Sequence, residues 1–228
     1  MKTYSFAYGS GTVELPLDEK NVIGELHGNA VAHLSDIRST LWASLDAPID
    51  SAPLCERVKA GDTVALVVSD MTRFWMRQDL VIPHLMDYLT ERCGVHEEDI
   101  TIVIANGTHV GGDERELRTL VTDAVYERVR VENHDCEAPD LVYLGTTPHG
   151  TPVSINRTAA EADLVLCLGA VTHHVMAGFG GGRKSILPGI SGRETIFHNH
   201  AFSLDAAQLR SNPAIGNGVL KGNPLHED

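Results

Sequence analysis

The chain has 228 residues, 18 Lys+Arg against 31 Asp+Glu, a net charge of −13, and 43% hydrophobic residues. That is an ordinary globular composition, long enough to bury a sizeable core without disulfides. The acidic excess argues against nucleic acid, whose binders gain affinity by neutralising phosphates with Lys and Arg. No stretch approaches the roughly 18 apolar residues of a membrane span, and the first ten residues hold no signal-peptide-like run, so a cytoplasmic protein with no membrane partner is expected.

Along the chain, residues 3–17 alternate around Gly9-Ser10-Gly11, the pattern of a β-hairpin. Asp62–Val68, Ile100–Ala105 and Asp163–Leu168 are short apolar runs rich in β-branched residues, as expected for strands buried on both faces of a parallel sheet. Arg128–Val131 is a weaker, edge-like version. Residues 79–94 carry apolar residues at helical spacing with Gly94 as a stop, and residues 112–121 do so behind an acidic first turn. Strand, helix, strand, helix, strand is the rhythm of a doubly wound sheet. The fold class is therefore α/β, a Rossmann-like, mainly parallel sheet with an amino-terminal β-hairpin. After about residue 170 Gly and Pro punctuate a loop-rich stretch. Cys55, Cys93, Cys136 and Cys167 lie 38, 43 and 31 residues apart without a CxxC pair, which reads as buried or free thiols in a reducing compartment.

Ligands of open parallel sheets bind outside the carboxyl ends of the strands. The first apolar run is followed there by Ser69-Asp70-Met71-Thr72-Arg73, the second by Asn106-Gly107-Thr108-His109, and the third by Gly169-Ala170-Val171-Thr172-His173-His174. Three strands thus deliver an Asp/Arg pair, a His and a His pair to one edge. Asp70 on its own is equally well read as the cap of the next helix. Gly178–Ser185, with Gly180, Gly181, Gly182, Arg183 and Lys184, invites a phosphate-loop reading. It lacks the Gly before Lys of a Walker A motif and lies too far beyond its strand for a dinucleotide fingerprint. A flexible surface loop is the plain alternative; a Lys among glycines is also suited to be a reactive amine. His198 and His200 would share a face in an extended segment and be separated in a helix. Either imidazole is compatible with a borderline ion such as nickel, or with a structural hydrogen bond. Twelve histidines are many for this length; His27, His33, His84, His96, His134, His149 and His226 have no motif around them.

Four separated motifs, Asp70-x-Thr72-Arg73, Asn106-Gly-Thr-His109, His174-x-x-Ala177-Gly178-x-x-Gly-Gly-Arg183-Lys184-x-x-x-Pro188-Gly189 and Asn199-His200, closely resemble the nickel-pincer-dependent lactate racemase family, over about residues 60–200. The resemblance implies a hydride-transferring 2-hydroxy-acid racemase or epimerase, an isomerase. It implies nickel and a pyridinium-3,5-bisthiocarboxylic acid mononucleotide, the nickel-pincer nucleotide, linked to Lys184 as a thioamide, with His200 on the metal. His109 and His174 would be the acid/base pair, and Asp70, Thr72, Arg73, Gly181, Gly182 and Arg183 would bind cofactor or substrate. Expected partners are a small 2-hydroxy acid and cofactor-synthesis proteins. Residues 1–228 would form the amino-terminal cofactor-binding domain, with its core at about 55–200, and the family's carboxy-terminal domain would lie outside this chain. The resemblance departs at His173 and at the extra imidazole of His198. The alternatives are a metal-dependent hydrolase or lyase using the same histidines, and a folded cofactor-binding fragment without catalysis.

Overall fold

The computed structural model describes all 228 residues. They form two units, Met1–Ser35 and Asp36–Asp228. In the first, β1 (Lys2–Tyr8) and β2 (Gly11–Leu17) pair antiparallel from Lys2↔Leu17 to Tyr8↔Gly11. This is the expected hairpin, and Gly9 turns it with a φ of 58° that glycine adopts without a side-chain penalty.

The second unit starts with α1 (Ile37–Asp46), whose first turn is capped by the Asp36 carboxylate accepting from the Ser39 N–H. It continues through α2 (Leu54–Arg57), β3 (Val64–Ser69), α3 (Ile82–Asp87), β4 (Ile100–Ala105), α4 (Glu114–Val121), α5 (Asp123–Tyr126), β5 (Arg130–Asn133), β6 (Val142–Thr146), β7 (Pro152–Ile155), α6 (Arg157–Glu161) and β8 (Leu164–Leu168). Short strands β9 (His173–His174) and β10 (Gly178–Phe179), then α7 (Arg193–Ala201), β11 (Leu204–Asp205), β12 (Arg210–Ser211) and α8 (Pro224–Glu227) complete it. No helix is long and apolar enough to cross a membrane.

Strands β5, β4, β3 and β8 lie side by side in that order, all parallel. The chain steps outward from β3 to β4 to β5 and then returns to the other flank of β3, so the winding reverses between β3 and β8. Side chains alternate across the two central strands. Val64, Leu66, Val68, Ile100, Ile102 and Ile104 pack with Ile82, Met86, Leu89, Leu120, Val121 and Val125 of the helical layer. Ala65, Val67 and Val103 pack with Ala159 and Ile190 on the opposite face. Helices therefore cover both faces, the doubly wound arrangement expected from the sequence.

Three local expectations are corrected. The run at 163–168 was expected to be buried on both faces; β8 is instead the outer strand, half-buried, with Cys167 exposed. The helix expected over 79–94 is interrupted: a 3-10 turn at Gln78–Leu80 precedes α3, which widens into a π-turn at Tyr88–Arg92. Cys55 and Cys93 are not free thiols, because α2 brings them together as a disulfide, leaving Cys136 and Cys167 unpaired. The β6–β7 hairpin had no reading in the sequence. A Tyr88–Asp46 hydrogen bond of 2.6 Å, with Trp42 edge-on to Tyr88 at 5.5 Å, docks α1 on this layer. Burial and the Asp46 carboxylate push the Tyr88 hydroxyl up to about 12, so it stays a donor.

Candidate active site at the carboxyl edge of the sheet

The loops leaving β3, β4 and β8 meet around one cavity of about 370 Å³, whose wall includes Arg73, His109, His174, Gly181, Lys184 and His200. It sits where the strand order reverses, the position at which open α/β sheets bind ligands.

The β3 loop turns at once. Gln78, 2% exposed, donates to the Ser69 carbonyl at 2.9 Å and holds the loop against the strand end. Asp70 is buried, yet its side chain caps no helix. One oxygen accepts from the Thr72 hydroxyl at 2.5 Å and lies 3.5 Å from the Arg73 guanidinium. The other lies 2.5 Å from His109 Nδ1. Asp70 therefore orients an imidazole, and the helix-cap reading is set aside. A carboxylate only accepts, so His109 carries a proton on Nδ1, and in the neutral tautomer the lone pair lies on Nε2. The β4 loop that holds His109 is itself anchored. Asn106, 2% exposed, donates to Asn133 Oδ1 and to the His134 carbonyl, and the His109 N–H closes a turn on the Asn106 carbonyl.

His174 faces Lys184, with 2.9 Å between Nε2 and Nζ. Burial first, then the Lys184, Arg73, His200 and Arg183 charges, hold the His174 ring down at about 4. Burial, followed by Arg73 and Arg183, lowers the Lys184 ammonium to about 8. Desolvation penalises the charged form of each, and no carboxylate compensates. The Lys184 loop is held by close backbone approach. Gly181 has φ 74°, and a Cβ there would lie 2.7 Å from the Ala170 carbonyl oxygen. The Gly107 N–H donates to the Gly189 carbonyl at 2.9 Å, tying this loop to the one bearing His109.

The segment with His198 and His200 is helical, so the two rings part. His200, in the last turn of α7, reaches the cavity wall, while His198 Nδ1 lies 2.9 Å from Thr151 Oγ1 and away from it. His173 is exposed beside Phe179, with ring centroids 5.2 Å apart. Of the remaining expected site residues, Asp70 and Thr72 lie behind His109 and Arg73, and Gly182 and Arg183 are not part of the wall. Arg183 donates to His226 Nδ1 and the Ala177 carbonyl, both at 2.6 Å. The sequence reading missed Trp75, Met76, Ser185, Ile196 and Phe197, which also line the cavity. The spacing of Ile196 and His200 shows their shared face only once the segment is taken as a helix.

No three His, Cys, Asp or Glu side chains cluster as a metal cage. Besides His109 and His174, which are engaged with Asp70 and Lys184, the wall offers the His200 imidazole, whose Nδ1 is buried without a partner, beside one amine of lowered basicity and a glycine-lined backbone. That donor set suits a metal arriving with most of its ligands already in place on an organic group that an amine can hold. It does not suit a bare ion.

A family model for the lactate racemase N-terminal domain matches residues 8–211. The lactate racemase of Lactiplantibacillus plantarum is 30% identical over all of this chain and 53% of its own length. That of Thermoanaerobacterium thermosaccharolyticum is 29% identical, with 100% and 52% covered. The solved lactate racemase apoprotein from the latter organism superposes with a TM-score of 0.82 at 27% identity, over 100% of this chain and 52% of that one. A Thermotoga maritima protein of solved structure shares the fold, with a TM-score of 0.57 at 24% identity, over 84% of this chain and 44% of its own. The chain spans about half the length of the curated relatives it matches. On this match the chain belongs to the lactate racemase family, of which it carries the N-terminal domain.

Proposed function

We propose that this chain forms the cofactor-bearing half of a 2-hydroxy-acid racemase or epimerase that works with a nickel-pincer nucleotide in the cytoplasm, where cofactor-synthesis proteins would load it. The observation that carries the reading is the convergence of two imidazoles, His109 and His174, with the Lys184 amine on one cavity. Lys184 and His200 would hold the cofactor, which supplies a centre able to take a hydride from the substrate carbon and return it. His109 is prepared to accept the hydroxyl proton at Nε2, because Asp70 occupies Nδ1 and stabilises the imidazolium that forms. Inversion requires the proton to be handled on both faces of the flat keto acid, hence a second imidazole on a separate loop. Acylation would fix Lys184 as an uncharged amide, so its ammonium form would no longer be among the charges that, after burial, hold the His174 ring down. Arg73 supplies a cation for the substrate carboxylate in an otherwise acidic protein. The metal-dependent hydrolase alternative lacks the three-donor cage such sites use.

The test is the intact mass of the full-length protein produced together with the cofactor-synthesis proteins. An adduct is expected in the parent and absent in Lys184→Ala, and an unmodified parent overturns the covalent attachment. Racemisation of a panel of chiral 2-hydroxy acids by the loaded protein, lost in His109→Ala and in His174→Ala, checks the reaction.

A further inference from the structure

The side of His174 that faces away from the cavity carries a constraint. Its Nδ1 lies 3.2 Å from the Met176 backbone N–H and 3.1 Å from that of Ala177. Backbone amides only donate, so Nδ1 must present its lone pair and a neutral ring carries its proton on Nε2. Nε2 is the atom 2.9 Å from Lys184 Nζ. An ammonium has three donors and no acceptor, so a charged Lys184 would meet this N–H donor to donor; an uncharged amine meets it with its single lone pair. Beside His174, the charged and titratable groups that act on Lys184 are Arg73, Arg183 and His200, none of which is an acid that would favour the ammonium.

We propose, resting on the reading of Lys184 as the attachment point, that His174 has a second task before any catalysis: locked by two backbone amides, it favours the neutral, nucleophilic amine of Lys184 over the ammonium and so readies it to be acylated. The reaction this prepares is a condensation. The Nζ lone pair forms a C–N bond to the carbon of a thiocarboxylic acid, the C–OH bond breaks, and the oxygen leaves as water with one proton from Nζ. No oxidant or reductant takes part. His174 is a positioning residue in this step.

The test uses the cofactor-free protein. Side-chain ¹⁵N NMR of His174 at pH 7 is expected to show the Nε2-protonated tautomer. In competitive labelling with acetic anhydride, His174→Met, which keeps bulk but has no donor, is expected to slow Lys184 acetylation about tenfold, and His174→Gln, whose amide can donate, to restore it. An Nδ1-protonated ring, or a Met variant labelled as fast as the parent, overturns the proposal. Either failure leaves the mass adduct of the co-produced protein untouched. Conversely, fast labelling of Lys184 in a protein that never gains an adduct removes the cofactor reading and retains the amine.

Discussion

Two histidines that look alike in the sequence are held in opposite chemical states by their neighbours. His109 meets a carboxylate at Nδ1 and presents a lone pair to the cavity; His174 meets backbone N–H groups at Nδ1 and presents a proton. Replacing Asp70 by Asn keeps the shape but removes the charge that stabilises a protonated His109. Loaded full-length Asp70→Asn enzyme is therefore expected to lose roughly a hundredfold or more in kcat with the fold unchanged, and wild-type turnover would show that Asp70 does not act through His109. The buried rings also set an acid limit. His134, His174 and His200 are all pushed down, chiefly by burial, His174 to about 4. Their unfolded counterparts take up protons near pH 6.5, so between about pH 6.5 and 4 the unfolded chain binds more protons and stability falls as pH drops. Below that window Asp228, which burial pushes up but bonds from Asn199, Thr147 and Thr151 together hold below its usual range, adds its own loss. Melting temperatures taken from pH 7 to 4.5 should decline, less steeply in His174→Ala; a flat profile would mean the folded rings take up protons as readily as the unfolded ones.

At the scale of elements, the connections between helices and loops decide where these side chains point. The Cys55–Cys93 bond ties α2 to the end of the π-turn across 38 residues. Closing a loop of that length restricts the unfolded chain and is worth about 2–4 kcal/mol. Denatured, unreduced protein should show two reactive thiols, Cys136 and Cys167, and reduction should lower the melting temperature; four thiols would show the bond absent. Gly189 is the tightest point of the Lys184 loop. A Cβ there would lie 2.1 Å from the Ser185 carbonyl oxygen and 2.9 Å from Ala105 Cβ, and its N–H donates to the Lys184 carbonyl. Backbone cannot yield to such a clash without moving Lys184, so Gly189→Ala should cost about 3 kcal/mol and weaken cofactor attachment together. A variant with parental melting temperature and full adduct would refute this.

For the whole molecule, burial is unevenly distributed. Every buried hydrophobic residue lies between Leu54 and Leu225, and Met1–Ser35 contains none. Protein lacking residues 1–35 is therefore expected to keep a single cooperative thermal transition within a few degrees of the parent; a broad or missing transition would show that the hairpin unit supports the core. The net charge of −13 opposes anionic ligands, and on the cavity wall Arg73 is a cation that offsets it.

Much of this was legible in the chain itself. The apolar runs at 62–68 and 100–105 determined that two strands would be buried on both faces, and their spacing determined a doubly wound sheet, because period and length constrain secondary structure locally. The placing of Asp70, His109 and His174 after strands determined that they would share an edge. The tertiary structure decided what periodicity cannot carry: that the run at 163–168 lies at the rim, that Cys55 meets Cys93, and that a helix turns His198 away from His200. It also decided the protonation of the two imidazoles, since that depends on which atom lies opposite Nδ1, a contact made across 39 residues for His109 and within a tight turn for His174. Hydrogen-bond partners are set by packing, and only packing distinguishes a base from a donor.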